Sequence, residues 1–151
     1  MLIEARPPTD PALAGLLAAQ QREIVERESG AGVAHPPVYP VHDGCRYVVA
    51  VSGGRAVGCG GVQALDADTA ELKRMYVHPD FRGRGIARRL VAALEELARA
   101  AGHSVLRLET GDYLPAAIGL YTSLGYRPIP VFGEYVGNPH SVCFEKRPPI
   151  P

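Results

Sequence analysis

Glu71-Leu72-Lys73-Arg74-Met75-Tyr76-Val77-His78-Pro79-Asp80-Phe81-Arg82-Gly83-Arg84-Gly85-Ile86-Ala87-Arg88-Arg89-Leu90 is the stretch on which the reading of the chain turns. Its first part is rich in Leu, Met, Tyr and Val and reads as a strand. His78-Pro79-Asp80 breaks that strand, Arg82-Gly83-Arg84-Gly85 makes a tight turn, and an apolar-periodic helix follows. A helix start carries free backbone N–H groups and a partial positive charge, and glycines let an anion come close to them. The arginines of the turn add charge-assisted donors. The stretch therefore reads as a cradle for a phosphate or pyrophosphate.

Outward from it, the helix runs from about Gly85 to Ala101. Ile86, Leu90, Leu94, Leu97 and Ala101 form one stripe with Val91 and Ala98 beside it, and Gly102 is the stop. Ser104 to Glu109 is the next strand, so strand, helix and strand make a parallel crossover. Upstream, Cys45–Val51, Ala56–Leu65 and Thr69–Val77 are three strands joined by short turns, an antiparallel meander in which Gly58, Gly60 and Gly61 weaken the middle strand. Met1 to Ala5 is a short first strand. Asp10 caps a helix predicted over about Pro11 to Glu28, with Leu13, Leu16, Leu17, Ile24 and Val25 at helical spacing. Downstream come a short helix over Pro115 to Leu124, a proline-broken strand over Tyr126 to Phe132, and a last strand over Ser141 to Lys146. Ser29 to Gly44 and Gly133 to His140 are loops. Neither a repeat nor a domain boundary stands out, and residues 1–151 are expected to be a single domain.

The 151 residues are 46% apolar and 21% charged, a globular composition, and 16 basic side chains balance 16 acidic ones. That balance gives no global field for nucleic acid or an anionic membrane, and neither is expected as a partner. No apolar run approaches ~20 residues, the length of a spanning helix. The N-terminus lacks a basic-then-apolar leader pattern. Cys45, Cys59 and Cys143 are scattered, which fits a reducing cytoplasm and argues against a disulfide framework or a metal site.

The glycine turn lacks the third glycine of a dinucleotide fingerprint and the Gly-Lys-Ser/Thr of a nucleoside-triphosphate loop. Arg82-x-x-Gly85-x-Ala87, after a strand ending Tyr76-Val77-His78-Pro79, resembles instead the acyl-coenzyme A signature of the GNAT superfamily of N-acyltransferases. Ala116-Ala117-Ile118-Gly119-Leu120-Tyr121-Thr122-Ser123-Leu124-Gly125-Tyr126 is similar to that family's second element, and the order of elements agrees along the chain. Leu114 departs from the pattern: many members carry Asn or Gln seven residues before the tyrosine, in contact with the pantetheine.

The resemblance implies an α/β (α+β) fold: a mixed, strongly twisted sheet of about six or seven strands flanked by about four helices, with the central parallel strands splayed after Val77 and near Glu109. It implies acetyl-CoA as co-substrate and an amine as acceptor, read as a small-molecule amine rather than that of a peptide or protein; a homodimer is compatible with it. Arg82, Gly83, Arg84, Gly85, Ile86, Ala87 and Arg88 would hold the pyrophosphate. Met75, Tyr76 and Val77 would pair with the pantetheine, an N–H near Val77 stabilising the charge that develops on the thioester oxygen. Tyr121 matches the tyrosine that many members place beside the coenzyme sulfur as an acid, and otherwise reads as a core tyrosine. Glu71 matches a catalytic glutamate and is the candidate base; otherwise it reads as a solvated strand residue paired with Lys73 or Arg74. Glu109 is the second choice. His78 reads as part of a turn. Tyr39, Asp43, Glu109, Glu134 and Tyr135 are the candidates for acceptor binding. No cysteine is placed as an acyl carrier, so direct transfer in a ternary complex is expected.

Overall fold

The computed structural model describes residues 1–32 and 44–148. The elements are β1 (Leu2–Arg6), α1 (Pro11–Gly30), β2 (Arg46–Ser52), β3 (Arg55–Ala64), β4 (Thr69–Val77), α2 (Ile86–Ala100), β5 (Val105–Gly111), α3 (Pro115–Ser123), β6 (Arg127–Ile129) and β7 (Ser141–Lys146). All seven strands lie in one sheet ordered β1-β2-β3-β4-β5-β7-β6, and only β4 and β5 run parallel. Each predicted strand is present, although Pro128 and Pro130 confine β6 to Arg127–Ile129.

Local chemistry sets the helix ends. The Asp10 carboxylate accepts from the Leu13 N–H at 2.9 Å, with Pro11 in the first helical position. Three α-helices are present among the described residues, against about four implied by the resemblance. The reason is that α1 runs unbroken for 20 residues to Gly30 before the Gly- and Pro-rich segment, whose residues 33–43 lie outside the described ones.

The helices cover both faces of the sheet. Leu13, Leu16 and Leu17 of α1 pack on Tyr47, Val49, Cys59 and Tyr76. On the opposite face Ile86, Leu90, Val91, Leu94 and Ala98 of α2 meet Val48, Ala50, Val57, Leu72 and Leu106. The alternation along β2, with odd-numbered residues toward α1 and even-numbered ones toward α2, follows from the period of the strand. Cys45, Cys59 and Cys143 are free thiols buried to 3%, 0% and 1% exposure.

Gly58, Gly60 and Gly61 do not interrupt β3; they make room. A Cβ on Gly61 would lie 2.6 Å from Cys45 Sγ and 2.9 Å from the Tyr47 ring, and Tyr47 is buried. Gly61→Ala is therefore expected to cost about 1–3 kcal/mol through overpacking, read as a lower denaturant midpoint at unchanged m.

The feature that positions the site is where β4 and β5 part. Their register runs from Thr69 opposite Val105 to Leu72 opposite Leu108 and goes no further, while β4 continues to Val77 and β5 to Gly111. Just beyond the last shared pair, β4 bulges: its register with β3 slips between Cys59 and Gly61, and Arg74 takes the left-handed conformation at φ 58°. Gln20 of α1 clamps the bulge. Its Oε1 accepts from Arg74 Nε at 2.7 Å and its Nε2 donates to the Met75 carbonyl at 3.0 Å.

Candidate active site

A cleft of about 560 Å³ follows the gap between β4 and β5. Gly83 and Gly85 lie at one end, Tyr121 and Leu114 along its wall, and Glu71, Glu109 and Tyr135 at the other end.

The glycine end is built by the turn. Gly83 and Gly85 have φ of 77° and 79°, a region that costs other residues about 1 kcal/mol or more. Nothing lies within 4 Å of where a Cβ would sit on either, so the face of the turn is open. Gly85 is the N-cap of α2, and no side chain caps the helix, which leaves its first N–H groups to an incoming anion. The arginine side chains hold the turn together instead of facing outward freely. Arg82 Nε donates to the Val77 carbonyl at 2.8 Å, and its Nη2 meets Glu23 at 2.5 Å. Arg84 donates to the Asp80 carbonyl at 3.2 Å and lies over the Phe81 ring, and Arg88 donates to Ser123 Oγ at 2.7 Å. His78 serves the turn: its Nδ1 accepts from the Asp80 N–H at 3.1 Å.

Backbone direction supplies the middle of the cleft. The His78 N–H donates to the Val57 carbonyl, so by antiparallel alternation His78 and Tyr76 face β3 and Val77 faces the gap. The Val77 carbonyl is held by Arg82 and the Met75 carbonyl by Gln20, which leaves the Val77 N–H as the donor toward the gap. Tyr121 is buried at 6% exposure and stacks edge-on with Tyr126 at 5.9 Å. Burial pushes its phenol pKa well up, so it keeps its proton at any working pH.

The far end is acidic. Glu71 is 3% exposed, so it is not a solvated strand residue, although Lys73 Nζ stands 3.9 Å away. The Tyr135 hydroxyl donates to Glu71 Oε2. Glu109 accepts from Ser141 Oγ at 2.7 Å. Burial first, then the charges of Glu71, Glu28 and Glu134, push Glu109 up to about 7, while the Ser141 bond opposes the shift. Glu134 is largely exposed and reaches Lys73 at 3.5 Å. Thus Glu71, Glu109, Tyr121 and Tyr135 line one cleft, Glu134 is outside that lining and pairs with the cleft's Lys73, and Tyr39 and Asp43 lie outside the described residues.

Sequence reasoning missed Gln20, Glu28, Tyr113 and Ser141. Gln20 is 8% exposed and Glu28 1%, on the face of α1 where Leu13 and Leu17 are buried, whereas Val25, expected on that face, is 37% exposed. The signal was available: Leu13, Leu17, Gln20, Ile24 and Glu28 continue a single helical stripe, with polar residues at two of its positions.

Comparison with known proteins gives the family and the fold. Residues 17–126 match the acetyltransferase (GNAT) family. The chain is 45% identical over 103 residues to the IAA acetyltransferase of Azospirillum brasilense, a match spanning 67% of each. A Klebsiella pneumoniae protein designated an acyl-CoA N-acyltransferase has a crystal structure that superposes with a TM-score of 0.81 at 35% identity, covering 97% of this chain and 96% of that one. A GNAT family acetyltransferase from Elizabethkingia anophelis, solved with acetyl-CoA bound, shares the fold with a TM-score of 0.72 at 16% identity over 97% of both chains. This chain is an acyltransferase and belongs to the GNAT family of acetyltransferases.

Proposed function

We propose that the protein transfers an acetyl group from acetyl-CoA to a primary amine of a small molecule, by direct attack in a ternary complex. The observation that carries this reading is the continuity of the cleft: an open, uncapped glycine turn at one end, a Val77 N–H turned toward the gap in the middle, and the buried Glu71 with the half-buried Glu109 at the other. The residues present fit a coenzyme A thioester. The N–H groups at the start of α2 would hold its pyrophosphate, and the gap beside Met75 to Val77 would take the pantetheine. When bound, the thioester supplies the acyl carbon and a sulfur leaving group.

The chain's own groups do the rest. An alkyl ammonium must lose a proton before it can attack. Glu109, poised near neutrality, accepts that proton, and Glu71 holds the ammonium beside it. As the N–C bond forms and the C–S bond breaks, the Val77 N–H stabilises charge on the carbonyl oxygen. Tyr121 offers its O–H to the departing sulfur. The same reading has residues 1–151 working as one domain in the cytoplasm, in keeping with three buried free thiols.

A thiol-release assay over a panel of amines tests the activity; coenzyme binding with no turnover on any amine would favour a sensor. The pH profile tests the base. The rate kcat/KM is expected to fall as pH drops through about 7, because protonated Glu109 cannot accept a proton. Glu109→Gln should remove that limb together with most of the rate. Glu71→Gln should move the limb to lower pH, since the Glu71 charge is one of the causes that raise Glu109. Loss of the limb in Glu71→Gln with its survival in Glu109→Gln would make Glu71 the base.

A further inference from the structure

Gln20 is a buried side chain of α1 to which the chemistry above gives no part. It is 8% exposed and lines the cleft. Both ends of its amide bond to β4 just beyond Leu72, the last residue paired with β5: Oε1 accepts from Arg74 Nε at 2.7 Å, and Nε2 donates to the Met75 carbonyl at 3.0 Å. Because a guanidinium only donates, Oε1 must face Arg74, and Nε2 is thereby turned to the carbonyl.

The backbone that Gln20 holds is strained. Arg74 has φ 58°, a conformation that residues with a Cβ disfavour and that persists only where its surroundings over-determine it. Arg74 Nη2 is also tied to α1, through the Leu17 carbonyl at 3.4 Å. The next carbonyl on the same edge of β4 is held too. Arg82 Nε donates to the Val77 carbonyl at 2.8 Å, and Arg82 pairs with Glu23, about one helical turn along α1 from Gln20. The peptide that carries the Val77 N–H lies between these two held peptides, Met75–Tyr76 before it and Val77–His78 after it. Gln20 fixes its direction from one side and Arg82 from the other, while β3 pairs Cys59 with Tyr76 and Gly58 with Val77 behind it.

We infer that Gln20 is a positioning residue for acyl transfer. By holding the Met75 carbonyl and the Arg74 side chain together, it keeps the bulge in the form that turns the Val77 N–H into the gap. This rests on the proposed transfer for the role of that N–H. Gln20 acts through the backbone of β4, and a donor displaced by about 1 Å can cost on the order of 100-fold in rate.

Two variants test it. Gln20→Glu still accepts from Arg74 but cannot donate to the Met75 carbonyl and repels it. Gln20→Met keeps the length of the side chain and loses both bonds; it is expected to act in the same direction, and it carries the test if Gln20→Glu does not fold. The readout besides turnover is the infrared carbonyl band of bound acetyl-coenzyme A, isotope-labelled at the carbonyl, without acceptor. The unsubstituted protein is expected to lower the frequency of that band relative to the free thioester, and a folded variant to lose most of the lowering. The variant's kcat is expected to fall roughly 10- to 100-fold. Coenzyme A affinity by calorimetry should change by no more than about threefold, because the glycine turn is untouched. A folded variant, checked by its thermal midpoint, that keeps either the lowered band or the unsubstituted kcat overturns the inference and leaves the transferase reading standing; this is the result a merely structural Gln20 would give. A band that the unsubstituted protein does not lower overturns the inference together with the role of the Val77 N–H. Absence of turnover on every amine counts against the transferase reading and is read apart from the band, which then decides the positioning alone.

Discussion

Gly85→Glu is expected to weaken coenzyme A binding by about 100-fold or more while leaving the chain folded. Gly85 has φ 79° and caps α2 without a side chain. A glutamate there has an open face to occupy, since nothing lies within 4 Å of the new Cβ. Its carboxylate would settle on the N–H groups that the pyrophosphate needs and would repel the phosphates. Strain in the left-handed region costs about 1 kcal/mol. A carboxylate at a helix start returns roughly 0.3–1 kcal/mol, so the net change in stability is small. Gly85→Ala carries the strain without the charge and should retain most of the affinity. Calorimetry showing unchanged coenzyme affinity in Gly85→Glu would remove the turn from the coenzyme site.

Tyr121→Phe is expected to lower kcat by roughly 100-fold, the lower range for a positioned proton donor, with coenzyme affinity changed by no more than about threefold. The ring is fixed by its edge-on contact with Tyr126 and by burial, and phenylalanine keeps both. Because burial raises the phenol pKa, the group is protonated throughout the neutral range, and the loss should be the same at every pH there. A rate that survives the substitution would return Tyr121 to the status of a core tyrosine.

Much of the fold was legible because its signals are local. Asp10-Pro11 announces α1, Gly53-Gly54 the hairpin and Gly102 the end of α2, and the structure has all three with the expected turn or cap. The glycine cradle was legible for the same reason: strand, turn and helix start are contiguous. The acidic end was legible only in part. Glu71 and Glu109 were candidates for the base through the resemblance, and the parallel pairing of β4 with β5 places both along the one cleft. Gln20 and Tyr113 line the cleft by packing between elements distant in sequence, Tyr113 bonding to Glu28, 85 residues away. Strand signals could not say that Gly60 and Gly61 would accommodate neighbours rather than weaken β3, because that depends on side chains from other elements: Met75 and Leu94 over Gly60, Cys45 and Tyr47 over Gly61. Nor could they show that the turn arginines brace the backbone, which needed the position of Glu23 on α1.

The three sheltered cysteines make the protein its own control. Cys59 is pushed up to about 12 by burial, and the Cys45 and Cys143 thiols are also raised, so none presents a reactive thiolate while the sheet is intact. A chromogenic disulfide reagent added to the native enzyme should therefore colour only with thiol released from the coenzyme. The same reagent without substrate becomes a clock for the opening of the sheet: its slow labelling of three sites reports how often each wall of the core is breached, with Cys45 and Cys59 on the α1 side and Cys143 on β7.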